Sequence, residues 1–223
     1  MDGTGRTVLS ALSVLSAPCM ILPMNETFAP MPVTLTGTVV RLEPLALEHL
    51  EALVQAGADP RIWEWAVTDA ATPEATERYI RVALAEQAEG RSLPFAVRHL
   101  EQDRIIGSTR FANIARADRG LEIGWTWYHP DFWRTAVNTE CKLLLLAHAF
   151  ETLGAIRVEF KTDVRNTRSR AAILRLGARE EGIFRSKAIL RDGHRRDTIY
   201  FSILDHEWPG VRQRLEKALR RES

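Results

Sequence analysis

From Thr34 onward the apolar positions follow two rhythms, alternation for strands and three-to-four spacing for helices. Val39 to Leu45 predicts a strand closed by Pro44. Leu47, Leu50, Leu53 and Val54 recur at helical spacing, and Gly57 supplies a stop. Asp59-Pro60 opens a loop carrying Trp63 and Trp65. Thr72-Pro73-Glu74-Ala75 then offers an N-cap, a proline at the first helical position and an acid in the first turn, for a helix reaching about Glu89 before Gly90.

Two strands follow, Pro94 to Leu100 and Arg104 to Phe111, around the polar turn Glu101-Gln102-Asp103. In the fourth strand Leu121, Ile123, Trp125 and Trp127 alternate with Glu122, Gly124, Thr126 and Tyr128, which predicts two distinct faces. His129-Pro130-Asp131 breaks it. Asn138 to Leu153 reads as a helix apolar almost all round, hence buried, with Gly154 behind it. Ile156 to Phe160 is a fifth strand, and Asn166 caps a helix ending at Gly177. Ile183 to Leu190 and Arg196 to Leu204 flank Asp192-Gly193, a hairpin signal, and Val211 to Arg221 forms a terminal helix. Runs of adjacent strands with helices laid against them predict an α+β (mixed α/β) fold.

Residues 1–31 do not share this pattern. They read as a disordered extension, with residues 32–223 as the folded domain. The uncharged run Val8 to Leu15 is too short to span a bilayer, and Pro18 stands where a lipoprotein would need a small residue before Cys19. The 30 basic and 29 acidic side chains leave a formal charge of +1, so no global field draws nucleic acid or membrane. Two cysteines, Cys19 and Cys141, make no disulfide framework, and none of the six histidines has metal-ligand spacing. His148 is expected to be a satisfied core histidine. The expectation is a cytoplasmic protein with no metal, monomeric or homodimeric.

The segment His129 to Glu140 joins the fourth strand to the buried helix. Backbone N–H groups at a helix start lack intrahelical partners and face the positive end of the dipole, which suits a pyrophosphate. Arg134 adds charge, and Thr135 and Thr139 add hydroxyls. Asn138 or Thr139 can equally serve only as a structural cap.

Four stretches together resemble the GNAT (GCN5-related N-acetyltransferase) superfamily in its RimJ/RimL-like, ribosomal-protein N-terminal acetyltransferase branch. They are Leu121 to Trp127, Trp133 to Glu140, Asn166 to Ser169 with Leu174 to Ala178, and Arg196 to Ile203 followed by Glu207-Trp208-Pro209. The resemblance implies a mostly antiparallel sheet of about seven strands, splayed between the fourth and fifth and flanked by helices. It implies transfer of acetyl from acetyl-CoA to a primary amine by direct attack.

The same resemblance assigns roles. Glu122 matches the base position, and Ser169 matches the group that hydrogen-bonds or protonates the leaving thiolate. Trp127, Arg134, Thr135, Ala136, Val137, Asn138, Thr139 and Asn166 match coenzyme contacts, with an oxyanion amide near Trp127 or Tyr128 beside a bulge. Ala136 stands where the branch has glycine. Were φ positive there, alanine would cost about 1 kcal/mol.

From the residues themselves, Glu122 can also be a solvated strand carboxylate or a salt-bridge partner for a neighbouring arginine, Ser169 a plain first-turn serine, and Trp63 and Trp65 packing. The acceptor is expected to be a protein N-terminus or small amine, with an antibiotic or polyamine as the alternative. Ile156 to Phe201 holds twelve basic against six acidic residues. That excess keeps open ribosome or RNA contact, a site for the coenzyme's 3′-phosphate or for an acidic acceptor, a solvated face, or a decayed coenzyme- or RNA-binding module.

Overall fold

The computed structural model describes Met1 and residues 28–222. The extension therefore lies outside the described residues except for Met1 and residues 28–31, where Phe28 is buried in the core. Cys19 and the run Val8 to Leu15 also lie outside them.

Eight strands form one sheet: β1 (Leu35–Thr36), β2 (Val40–Pro44), β3 (Leu93–His99), β4 (Arg104–Ala115), β5 (Gly120–Tyr128), β6 (Arg157–Asp163), β7 (Arg179–Ile189) and β8 (Arg195–Leu204). Their order is β1-β2-β3-β4-β5-β6-β8-β7, antiparallel at every pair except β5–β6. The helices are α1 (Leu50–Gly57), α2 (Pro73–Ala88), α3 (Ala136–Ala147), α4 (Thr167–Leu176) and α5 (Trp208–Glu222). The mixed α+β architecture read from the pattern is the one observed.

The extra strand is β1, two residues without a readable period. β7 begins at Arg179 rather than Ile183 because it is a sheet-edge strand with little buried side-chain area. Backbone pairing of Arg179 with Ser202 extends it where no apolar alternation could signal it. α2 starts as read, with Thr72 Oγ1 accepting from the Ala75 amide at 3.2 Å. Gly177 closes α4 in the left-handed conformation, φ 108°.

Each sheet face carries its own apolar cluster. Val137, Cys141, Leu145, Leu146 and Ala149 of α3 and its π-helical extension (His148–Thr152) pack with Leu42, Phe95, Leu121 and Ile123 on one face. On the other, Leu53 of α1 and Tyr79 and Ile80 of α2 pack with Trp63 and Trp127. His148 is half-buried against Phe111, ring centroids 6.1 Å apart. Burial pulls its pKa down. Its Nε2 has no partner, so it is not the satisfied histidine expected.

Glu140 fixes α3 against the sheet. This carboxylate, 4% exposed, accepts from the Thr38 amide and hydroxyl at 2.8 Å each and from the Val39 and Val40 amides at 2.7 Å each. The approach requires glycine at position 37, where a Cβ would lie 2.3 Å from the Glu140 carboxyl carbon.

Glu140→Ala leaves three amides of a part-buried turn without their acceptor and is expected to cost roughly 2–4 kcal/mol in denaturant unfolding. Gly37→Ala should lose stability by pushing that carboxylate off its donors. If both variants unfold like the parent, the clamp does not hold the helix.

Candidate functional site

β5 and β6 pair over only three residue pairs, Gly120–Arg157, Leu121–Val158 and Glu122–Glu159. Beyond Glu122 the two strands diverge, and the β6-facing edge of β5 has no strand partner. The opening is reinforced from the other side. β4 and β5 shift register between Ser108 and Arg110, because Ser108 faces Trp127 while Arg110 faces Gly124, so β5 carries one extra residue. Trp125 takes the bulge conformation at φ 49°.

The bulge overturns the simple two-face reading of this strand. Leu121 and Ile123 lie in the α3-side cluster, whereas Trp125 and Trp127 pack with the α1–α2 cluster. Tyr128 returns to the α3 side. One inserted residue reverses the alternation downstream of it, and no hydrophobic pattern announces that. The His129 amide donates to the Ile106 carbonyl at 2.8 Å. Strand alternation then turns the Trp127 amide toward β4 and the Tyr128 amide toward the open edge. The Trp127 ring is buried, 5.0 Å from Trp63 and 6.3 Å from Tyr79.

The N-terminus of α3 stands beside this opening. Thr135 is its N-cap, its hydroxyl accepting from the Val137 amide at 3.3 Å and donating to the Phe132 carbonyl at 2.9 Å. Ala136 is the first helical residue, and φ is positive at Arg134 (64°) rather than at Ala136. Alanine thus carries no left-handed penalty. Ala136, Val137 and Asn138 supply the first-turn amides, while Thr139 is buried. Arg168 lies 3.9 Å over the Trp133 ring and Arg61 5.6 Å from it. Burial, helped by like-charged Arg134 and Arg61 and opposed by Glu64, lowers the Arg168 pKa. Crowded arginines beside first-turn amides fit a polyanion such as the coenzyme's phosphates.

Glu122 is neither solvated nor paired with arginine. It is 2% exposed, at the last β5–β6 pair, with Oε2 accepting from Asn113 Nδ2 at 2.6 Å and lying 2.8 Å from Lys161 Nζ. Asn166 caps α4, its Oδ1 accepting from the Ser169 amide at 2.9 Å, and Ser169 is half-buried in the first turn. The two loop tryptophans part company. Trp63 is packing, its indole donating to the Gly57 carbonyl at 2.7 Å, whereas Trp65 is half-buried with Arg165 4.8 Å over its ring.

Residues 40–179 match the family described as Acetyltransferase (GNAT) domain. The chain belongs to the GNAT acetyltransferase family. A GCN5-related N-acetyltransferase from Brucella melitensis is 31% identical, with TM-score 0.79, over 86% of this chain and 87% of that one. "Putative ribosomal N-acetyltransferase YdaF" of Bacillus subtilis (strain 168) is 28% identical over 78% of this chain and 93% of its own. Mycobacterium smegmatis RimJ in complex with CoA-disulfide shares the fold at 24% identity, TM-score 0.70, covering 86% and 96%.

Within this GNAT domain the sequence reading missed Lys142. It is 6% exposed, donates to Thr126 Oγ1 at 2.8 Å just past the bulge, and that hydroxyl lies 2.7 Å from Thr109 Oγ1. Burial pulls its pKa down to about 8, against a smaller opposing effect of Cys141. A lysine inside an otherwise apolar helix was the available signal.

Five of the twelve basic residues of this stretch form ion pairs within the domain. Arg157 pairs with Glu159 and Glu181, Lys161 with Glu122, Arg165 with Asp163, Arg179 with Glu207 and Arg191 with Asp69. Among the described residues no helix is long and apolar enough to cross a membrane, and no His, Cys, Asp and Glu group could hold a metal ion.

Lys142 generates a pH prediction. Its folded pKa lies below the ordinary 10.5, so between about pH 8 and 10.5 the unfolded chain binds more protons and stability rises with pH. The gain should reach about 3 kcal/mol at most. Lys142→Met should abolish that rise in denaturant titrations at pH 7.5 and 10. An unchanged rise would place the titration elsewhere.

Proposed function

We propose that this acetyltransferase moves the acetyl group of acetyl-CoA to a primary amine, with a protein N-terminal amine as the first candidate acceptor and a small amine as the second. The observation that carries the reading is the opening of β5 from β6 directly after Glu122, beside the amide-rich start of α3. The ribosomal name of YdaF and the coenzyme adduct carried by RimJ support the acceptor and the donor respectively.

Acetyl-CoA supplies an activated thioester carbonyl. In the proposed mechanism Arg134 and the first-turn amides of α3 hold its phosphates, with Thr135, Thr139 and Asn166 nearby. The Tyr128 amide, facing the open edge, donates to the oxygen that gains charge as the amine attacks. Glu122 takes the proton released from the amine, directly or through water. Lys161 and Asn113 hold it in place. An α-amine, with an ordinary pKa of about 7.7–8.0, needs less help from such a base than a lysine at about 10.4. Ser169, in the first turn of α4, donates to the departing thiolate.

Calorimetric titration with acetyl-CoA and with coenzyme A should give micromolar binding, and thiol release on adding amines should follow. No binding by a folded protein would remove the donor. Glu122→Gln should slow turnover most at low pH, where the amine is protonated, and leave coenzyme affinity within about twofold. Equal slowing at every pH would remove Glu122 as the base.

A further inference from the structure

Arg196 is the least explained charge in the molecule. It lies in β8 and is 9% exposed, yet its guanidinium makes no hydrogen bond or ion pair with any described residue, and its Nε is buried without a partner. Leaving a buried cation uncompensated is among the costliest arrangements in a fold. β8 alternates, with Ile199, Phe201 and Ile203 in the α3-side core, so Arg196 belongs to the opposite face, the one that also carries Glu122, Lys161 and Asp163.

The neighbouring acids are already committed. Asp163, Tyr200 and Glu122 favour the charge on Arg196, while Arg165 and burial oppose it. Asp163 is engaged by Arg165 through both oxygens at 3.1 and 2.9 Å, and Glu122 by Lys161 and Asn113. Arg196 therefore shares these acids with Lys161, Asn113 and Arg165, and no carboxylate is bonded to it. Above this face the loop holding Trp65 and Asp69 reaches across to Arg165 and to Arg191 of the β7–β8 turn. Arg196 thus lies under the reach of this loop, on the face that carries Glu122, with its Nε unpartnered.

We infer that Arg196 receives a carboxylate of the acceptor, so that the preferred amine carries an acidic group a few bonds from its nitrogen. This deepens the amine-acceptor reading and rests on it. A guanidinium offers paired donors that match a carboxylate, and Lys161 shields the anion from Glu122. Polyamines and aminoglycosides, which are polycations, would add positive charge beside a buried cation. Two sources share the chemistry: an acidic residue at a peptide N-terminus, and a free amino acid.

The test titrates four probes into the protein saturated with coenzyme A: a peptide amide beginning with aspartate, its asparagine counterpart, free glutamate, and glutamate with both carboxyls amidated. Tighter binding of an acidic probe than of its neutral partner, by tenfold or more, supports the inference, and which pair shows it identifies the source. Equal binding within a pair, or no binding of any probe, overturns it. Arg196→Met should erase the difference without lowering the melting temperature or the coenzyme affinity. A melting temperature that falls by many degrees would make Arg196 a structural residue instead, and the comparison in the unmodified protein still decides. Thiol release with acetyl-CoA separates the two readings. Acidic probes that bind through Arg196 without being acetylated keep the carboxylate site but overturn it as a site for the acceptor.

Discussion

The carboxylate of Glu140, gripped by four donors from Thr38, Val39 and Val40, is the point from which the rest of the site is set out. An apolar helix such as α3 can slide on an apolar sheet at little cost, because hydrophobic contact is non-directional. A buried carboxylate with four fixed donors cannot. It sets the depth and rotation of α3, and with them the position of the first-turn amides and of Lys142 against the bulge. Gly37 is small because that grip needs the space.

From this anchor the site assembles out of interruptions rather than regular structure. β5 leaves β6 after Glu122, Trp125 takes a left-handed conformation, and Arg134 does the same before α3. Each is a place where the chain forgoes a ladder hydrogen bond or accepts strain, and all three border one opening. Regular elements surround them and bear the cost: the cluster under α3 on one face and the tryptophan–tyrosine cluster on the other.

The elements were legible because capping and periodicity are local. Thr72-Pro73 starting α2 and Gly177 ending α4 need nothing distant to be read. The resemblance of Leu121 to Trp127 and Trp133 to Glu140 supplied the family and the location of the site. What stayed hidden depends on partners far along the chain. Glu140 finds residues about a hundred positions away, Glu122 finds Lys161, and Arg196 is notable only because its buried Nε has no partner. β1 and the polar start of β7 were invisible for another reason, since backbone pairing there involves little buried apolar area. Ala136 was read as a departure from glycine. The chain turns at Arg134 instead, and a residue type cannot disclose which of two neighbours takes the turn.

The extra residue in β5 also says something about what kinds of change this strand can absorb. It works as a half-period phase shift: upstream of it odd-numbered side chains feed one core, and downstream they feed the other. Side chains between Ile123 and Trp127 can be exchanged one at a time with graded effects. Shortening that stretch by one residue would instead send Trp127 and Tyr128 to each other's core at once. In this strand the number of residues is held more tightly than their identity, and substitution is the mode of variation the fold leaves open there.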